Sequence, residues 1–390
     1  MRRVSIFGAT GSIGQNTVDL INRNRDEYQV VALTGSQNIS QLIKDAKMLQ
    51  AEVAVTSDPT RLAELREGLA GSGIDVAAGD TALIEAAALP ADWIMSAIVG
   101  AAGLRPGLEA LKHGTVLALA NKESLVTAGP LLMNEAKRFG ATILPVDSEH
   151  SAIFQALVGE DLATVERVII TASGGAFRDH PLSALNSVTV GEASKHPNWH
   201  MGQRITIDSA SMFNKAMELI ETKEFFGFRS DQIETIIHPE SLIHALVGFK
   251  DGALMAHVGP HDMRHAIGFA LNWPFRKDLP VKRLDLAQIG QLNFRAPDLA
   301  RYPALMIAQK VMEEGGLTGA VFNAAKERAL DGFLAGSCSF TDMARIVDRV
   351  VDVILAREGL QNASITLDSV YEADAMARAL TSEEIAKQES

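Results

Sequence analysis

The chain has 390 residues, 47% of them hydrophobic and 22% charged, the proportions of a folded globular protein and not of a disordered one. Its 36 basic and 48 acidic residues give a net charge of −12, which argues against general nucleic-acid binding, since that needs a basic footprint. The single cysteine, Cys338, excludes an internal disulfide and a cysteine-based zinc site.

At about 150 residues per domain the length accommodates two or three domains. No run approaches the ~20 apolar residues of a membrane span. The start, Met1-Arg-Arg-Val-Ser-Ile-Phe-Gly8, reaches glycine too early for a signal peptide. The expectation is a cytoplasmic protein with no membrane or nucleic-acid partner.

In chain order, residues 4–7 read as a buried strand and 13–22 as a helix. Residues 28–33 form a second predicted strand, 40–49 a helix and 53–56 a third strand. Residues 93–96, 116–119 and 142–146 are further strand candidates. Such alternation implies a mostly parallel sheet covered on both faces. Residues 165–171, 234–238 and 253–258 read as strands among helices, an α+β pattern. Proline and basic residues cluster over 274–297, which reads as a linker. From Tyr302 onward the pattern is helical. Ile346, Val347, Val350, Ile354 and Leu355 recur at helical spacing, and Ser339 with Asp342 makes a capping box before them.

Gly8-Ala-Thr-Gly11-Ser-Ile-Gly14 follows the first strand and opens the first helix. That is the context of a dinucleotide-binding turn, where glycine allows close approach to a pyrophosphate at a helix N-terminus. The second strand ends in Leu33-Thr-Gly-Ser-Gln-Asn38, without the acid that binds ribose hydroxyls in an NAD site. Ser36, Gln37 and Asn38 can instead meet a 2′-phosphate, although a plain polar turn reads nearly as well.

Asp147 and Glu149 close another strand, two residues apart, and converge if the segment is extended. An oxygen-only pair suits Mg²⁺ or Mn²⁺; taken alone, it is equally a helix cap. Ser211, Asn214, Lys215 and Glu218 fall on one face of a predicted helix opening near Ser209, whose hydroxyl and N–H groups suit an anion. An isolated helix of this pattern would be a solvated face. Thr171-Ala-Ser-Gly-Gly175 is a turn able to cradle phosphate. Lys195-His-Pro-Asn-Trp-His-Met-Gly202 is a candidate lid or an ordinary surface loop. His261 and His265 have metal-like spacing but lack the glutamate of a zinc helix.

Together these segments resemble the 1-deoxy-D-xylulose 5-phosphate reductoisomerase family. The resemblance adds Ala120-Asn-Lys-Glu-Ser-Leu-Val126, Pro145-Val-Asp-Ser-Glu-His150 and Ile237-His-Pro-Glu-Ser241, and runs over nearly the whole chain. It implies an enzyme that rearranges 1-deoxy-D-xylulose 5-phosphate and reduces the product to 2-C-methyl-D-erythritol 4-phosphate, in the non-mevalonate isoprenoid pathway. NADPH, a divalent cation (Mg²⁺ or Mn²⁺, with Co²⁺ a further candidate) and a homodimer come with it.

By matching positions the resemblance makes Asp147, Glu149 and Glu218 the metal ligands, and these three with Lys122 the catalytic set. It assigns Lys122, Ser148, Glu149, Ser173, His196, Trp199, Ser209, Asn214, Lys215 and Glu218 to the substrate. It assigns Thr10, Gly11, Ser12, Ile13, Asn38, Asn121, Glu123 and Gly202 to the cofactor, beside Ser36 and Gln37 of the same turn. Gln37 departs from the basic residue many members carry there. Lys326, in Asn323-Ala-Ala-Lys326-Glu327, departs from the usual asparagine and is expected to affect packing only.

The expected architecture is an N-terminal Rossmann-like parallel sheet, a central α+β catalytic domain and a C-terminal helical bundle. Residues 1–147 would bind NADPH. Residues 148–272 would bind metal and substrate, with a flap near 195–203. Residues 273–298 would link to a helical domain over 299–390.

Overall fold

The computed structural model describes residues 1–199, 201–356 and 363–388. It divides into two compact units. The first comprises Met1–Ser124, Leu132–Ser151 and Asp262–Arg283; the second comprises Leu125–Leu131, Ala152–His261 and Leu284–Ser390.

The first unit is built on seven strands: β1 (Arg2–Phe7), β2 (Tyr28–Gly35), β3 (Val53–Thr56), β4 (Asp75–Ala78), β5 (Trp93–Ser96), β6 (Val116–Leu119) and β7 (Thr142–Pro145). Their order is β4-β3-β2-β1-β5-β6-β7, and every pairing is parallel. The apolar runs explain this. Val4, Ile6 and Phe7 of β1, Val30 to Leu33 of β2, and Ile94 and Met95 of β5 are all buried, as strands covered on both faces must be. The strand order reverses at β1, with β2 on one side and β5 on the other. Such a reversal opens a crevice at the carboxyl ends of the strands, where ligands bind in open α/β sheets.

β4 escapes the sequence reading because its sequence, Asp-Val-Ala-Ala, has no strong apolar run and no residue of it is fully buried. The helix Arg264–Asn272 belongs to this unit despite its late position. The indole of Trp93, wholly buried, donates to the carbonyl of Ala270 at 3.0 Å. The stretch read as a linker therefore divides between the units, its first part packing with the parallel sheet.

The second unit carries a four-stranded sheet of β8 (Val165–Ala172), β9 (Ile233–Ile237), β10 (Ile243–Phe249) and β11 (Leu254–Val258), ordered β11-β10-β8-β9. β10 is antiparallel to β8 and β11, whereas β9 runs parallel to β8. All seven residues of β10 are buried. It lacks the in-out alternation that marks a half-exposed strand, and the sequence reading passes over it.

The C-terminal part is helical: Pro303–Glu314, Thr318–Ala335, Phe340–Leu355 and Leu367–Ala386. The expected capping box is present, with Asp342 N donating to Ser339 Oγ at 3.3 Å and Ser339 N donating to Asp342 Oδ2 at 2.9 Å. Ile346, Val347, Val350 and Ile354 form the buried face behind it.

Candidate active site

In the first unit the three glycines of the N-terminal loop have separable roles. Gly8 sits at φ +83°, and a Cβ there would lie 2.4 Å from the carbonyl oxygen of Ala97. A Cβ on Gly14 would lie 2.2 Å from the carbonyl oxygen of Gly8. These two permit the turn and the close helix–strand contact. Gly11 has no neighbour closer than 3.5 Å to its notional Cβ, so its backbone is open to a ligand. It caps the helix Ser12–Arg23 without a side-chain acceptor, leaving first-turn N–H groups for an anion.

The loop is tied to the end of β2, where Gly8 N donates to Thr34 Oγ1 at 3.0 Å and Ala9 N to Thr34 O at 2.7 Å. Thr10 packs beside Gly35. Thus Thr10 to Ile13 and Ser36 to Asn38 lie together beyond the carboxyl ends of β1 and β2. Asn38 also caps the helix Ile39–Leu49, its Oδ1 accepting from Gln41 N at 3.2 Å. Asn121 caps the helix beginning at Lys122, accepting from Ser124 N at 2.9 Å. Its Nδ2 holds the neighbouring loop by donating to Ile98 O at 2.6 Å and Gly100 O at 2.9 Å, and to Glu123 Oε2 at 3.0 Å.

Asp147 follows β7 in the same unit. Both sequence readings of it meet here. Its Oδ1 accepts from Glu149 N at 3.2 Å, an N-cap contact to the helix Ser148–Ala156. Its Oδ2 accepts from Lys122 Nζ at 2.9 Å, with the two side chains 15% and 9% exposed. His150, wholly buried, places Nδ1 3.2 Å from Oδ1. Glu149 is not in extended chain as expected but in the first helical turn, where Ser148 Oγ donates to its Oε2.

In the second unit the helix expected from Asp208 to Glu218 is two helices, Gln203–Ala210 and Phe213–Phe226, parted by Met212 at φ +64°. Ser209 therefore lies in the last turn of the first helix and does not open a helix as expected. Ser211 lies in the break, its Oγ donating to Ile207 O at 3.0 Å, so it does not share a face with the other three.

Asn214, Lys215 and Glu218 do keep a common face. Lys215 Nζ lies 2.5 Å from Glu218 Oε2, with side chains 5% and 1% exposed, and Asn214 Nδ2 donates to Glu218 Oε1 at 2.7 Å. The serine-glycine turn comes up against Ser209. At Gly175, φ +67°, a Cβ would lie 2.7 Å from Ser209 O and 2.6 Å from Ala210 Cα. The turn that carries Ser173 thus packs on the Ser209–Ala210 backbone through a glycine contact no larger residue permits.

His196 is fixed by its partners. Its Nδ1 accepts from the backbone N–H groups of Asn198 at 3.1 Å and Trp199 at 2.9 Å. The proton therefore resides on Nε2, which donates to Ser173 Oγ at 3.1 Å. Burial, then the charges of Lys215 and His261, push its pKa down to about 4, so the ring is neutral at ordinary pH. Trp199 meets the ring of His261 edge-on at 5.3 Å and lies 6.2 Å from that of His244. Asn198 ties the segment to its surroundings, donating to Pro239 O at 2.6 Å and Ser241 Oγ at 3.0 Å. Gly202 precedes the helix Gln203–Ala210; His200 of the same motif lies outside the described residues.

Three residues outside the expected site set make contacts that the sequence does not announce. Lys326, expected to affect packing only, is 3.0 Å from Asp208 Oδ2 with both side chains buried, one residue before Ser209. Tyr302 donates to Gly174 O at 2.9 Å, and burial raises its hydroxyl to about 12. Arg61 reaches Gln37. Cys338 is buried, with its thiol pushed up to about 11 by that burial. His261 lies before the helix Arg264–Asn272 and so does not share a helical face with His265.

A seven-stranded parallel sheet with a glycine loop at its switch point defines the class of a dinucleotide-binding oxidoreductase. Models of the 1-deoxy-D-xylulose 5-phosphate reductoisomerase match residues 4–129, those of its C-terminal domain residues 143–226, and those of the DXP reductoisomerase C-terminal domain residues 258–380. The 1-deoxy-D-xylulose 5-phosphate reductoisomerase of Ruegeria pomeroyi is 68% identical over 378 residues, covering 97% of this chain and 96% of that one. Among solved structures, the Zymomonas mobilis enzyme in complex with NADPH superposes with a TM-score of 0.92 at 44% identity, covering 98% and 99% of the two chains. A second, a reductoisomerase in complex with NADPH, fosmidomycin and magnesium, gives 0.92 at 38% identity, covering 99% and 98%. The chain belongs to the 1-deoxy-D-xylulose 5-phosphate reductoisomerase family.

Proposed function

We propose that Asp147, Glu149 and Glu218 hold the divalent cation with which this chain converts 1-deoxy-D-xylulose 5-phosphate to 2-C-methyl-D-erythritol 4-phosphate, oxidising NADPH to NADP⁺. The observation that carries this reading is the donor set. Three carboxylates, with no sulfur or nitrogen donor among them, offer the all-oxygen chemistry that suits Mg²⁺ or Mn²⁺. When bound, the cation supplies Lewis-acid polarisation of adjacent substrate oxygens, and NADPH supplies the hydride.

The chain's own residues do the rest. Lys215, Asn214, Ser209 and Ser173 anchor the phosphate, and this holds the substrate in register while its carbon skeleton rearranges. Ser173 can give its hydroxyl proton to a phosphate oxygen because it receives one from His196 Nε2. Trp199, on the segment near 195–203, covers the substrate and excludes water. Lys122 neutralises Asp147 and stands ready to hold or move a proton beside the reacting oxygens. The Gly8–Gly14 loop binds the pyrophosphate, with Asn121, Glu123 and Gly202 serving the cofactor.

The parallel sheet of the first unit then serves NADPH, residues 152–261 of the second unit serve the substrate, and the helices of 299–390 pack within that second unit. We read the enzyme as a cytoplasmic homodimer. The edge strand β11 leaves Leu254 49%, Met255 41% and Val258 40% exposed, side chains that a second copy would cover. No described helix is long and apolar enough to cross a membrane.

Glu218→Gln tests the metal assignment. Turnover should fall about a hundredfold or more while NADPH affinity is unchanged. Near-normal turnover would overturn it.

A further inference from the structure

The turn after β2 offers no acid for ribose hydroxyls and no base for a 2′-phosphate. We propose that Arg61, from the loop after β3, supplies the cation for the 2′-phosphate and sets a preference for NADPH over NADH. This rests on the dinucleotide reading above.

The loop after β3 is stitched to that turn. Thr56 Oγ1 donates to Ser36 O at 3.0 Å, and Ser57 N to Gly35 O at 2.8 Å. Gln37 bridges the two. Its Nε2 donates to Asp58 Oδ2 at 2.8 Å, and its Oε1 accepts from Arg61 Nη1 at 3.4 Å. The guanidinium is held from its other edge, Nε donating to Glu64 Oε2 at 2.7 Å and Nη2 at 2.5 Å. Glu64 therefore uses one edge of the fork and leaves Nη1 facing Gln37, beside the end of β2. A planar fork whose Nη1 makes only the long 3.4 Å bond to the Gln37 amide still has N–H groups that suit a phosphate.

Two carboxylates oppose a phosphate here: Glu64, which Arg61 itself holds, and Asp58, which accepts three hydrogen bonds. Oδ1 accepts from Thr60 N at 2.9 Å and Thr60 Oγ1 at 2.6 Å, while Oδ2 accepts from Gln37. Those hydrogen bonds, from Thr60 and then Gln37, keep its pKa below the usual carboxylate range. Asp58 and Arg61 grip opposite ends of the Gln37 amide. That amide orients Arg61 and separates it from the carboxylate. Arg61 is 24 residues from Gln37 in the chain, so no local motif reveals the pairing.

The test is a fluorescence titration of the full chain with NADPH and with NADH, without sugar phosphate or metal. Arg61→Ala should raise the NADPH Kd about tenfold, the scale of one charge-assisted contact at an exposed site, and leave the NADH Kd unchanged. Arg61→Lys should fall between, because it keeps the charge and loses the fork. Added salt should weaken NADPH binding more in the unmodified chain than in Arg61→Ala. An Arg61→Ala chain with the original ratio of the two Kd values overturns the inference and leaves the family reading intact. Failure of the unmodified chain to bind either nucleotide overturns both.

Discussion

Replacing Lys326 by methionine should weaken the second unit by about 3–5 kcal/mol, the usual cost of breaking a buried ion pair from one side. The figure follows from the geometry. Lys326 and Asp208 are 4% and 7% exposed, and their charged atoms are 3.0 Å apart. Methionine keeps most of the volume, so little of the loss comes from packing. What remains is a carboxylate in the interior without this ammonium. Urea unfolding followed by circular dichroism measures the change. Removing the opposing charge as well, in Lys326→Met with Asp208→Asn, should recover much of the loss and give a coupling energy of about 2 kcal/mol or more. A function-specific effect should accompany it. Asp208 precedes Ser209, so Lys326→Met should raise KM for the sugar phosphate while the NADPH Kd stays fixed. A double-mutant coupling near zero, or an equal rise in both constants, would refute this reasoning.

Other consequences follow from single residues. Gly14→Ala places a methyl group 2.2 Å from the carbonyl oxygen of Gly8; it should cost about 1–3 kcal/mol through overpacking and abolish NADPH binding, which a nucleotide titration of the folded variant would check. His196, lowered to about 4, should remain neutral above pH 6.5. Its unfolded pKa is ~6.5, so its contribution to stability is complete above that value and is lost as pH falls toward about 4. An NMR titration of the imidazole near 6.5 would contradict the burial argument. Changing Met255 to aspartate on the exposed face of β11 should shift the protein toward monomer in light scattering. An unchanged mass would count against that face as the dimer surface.

Much of this organisation was legible in the residues. Buried parallel strands announce themselves as continuous apolar runs, and a glycine loop after the first of them has few structural uses. Other features resist such reading for physical reasons. Met212 takes a left-handed conformation that bulky side chains rarely adopt, so no glycine or proline marks the break between its two helices. β10 is buried on every residue and shows no alternation. The Asp208–Lys326 pair joins residues 118 apart in the chain. Nothing local distinguishes that lysine from a surface one, and only the docking of the helix Thr318–Ala335 puts its charge on Asp208. The acid pair was legible as an acid pair, but its geometry was not. Asp147 is cap and candidate ligand at once, and Glu149 belongs to a helix.

The central claim is a metal-assisted rearrangement coupled to reduction. Its most direct test is NADPH oxidation by the purified, chelator-treated chain, followed spectrophotometrically with 1-deoxy-D-xylulose 5-phosphate and with Mg²⁺ or Mn²⁺, separately and together. The account predicts oxidation only when sugar phosphate and cation are both present, with 2-C-methyl-D-erythritol 4-phosphate as the product. Oxidation that proceeds at full rate without the cation, or none with both present, would contradict it.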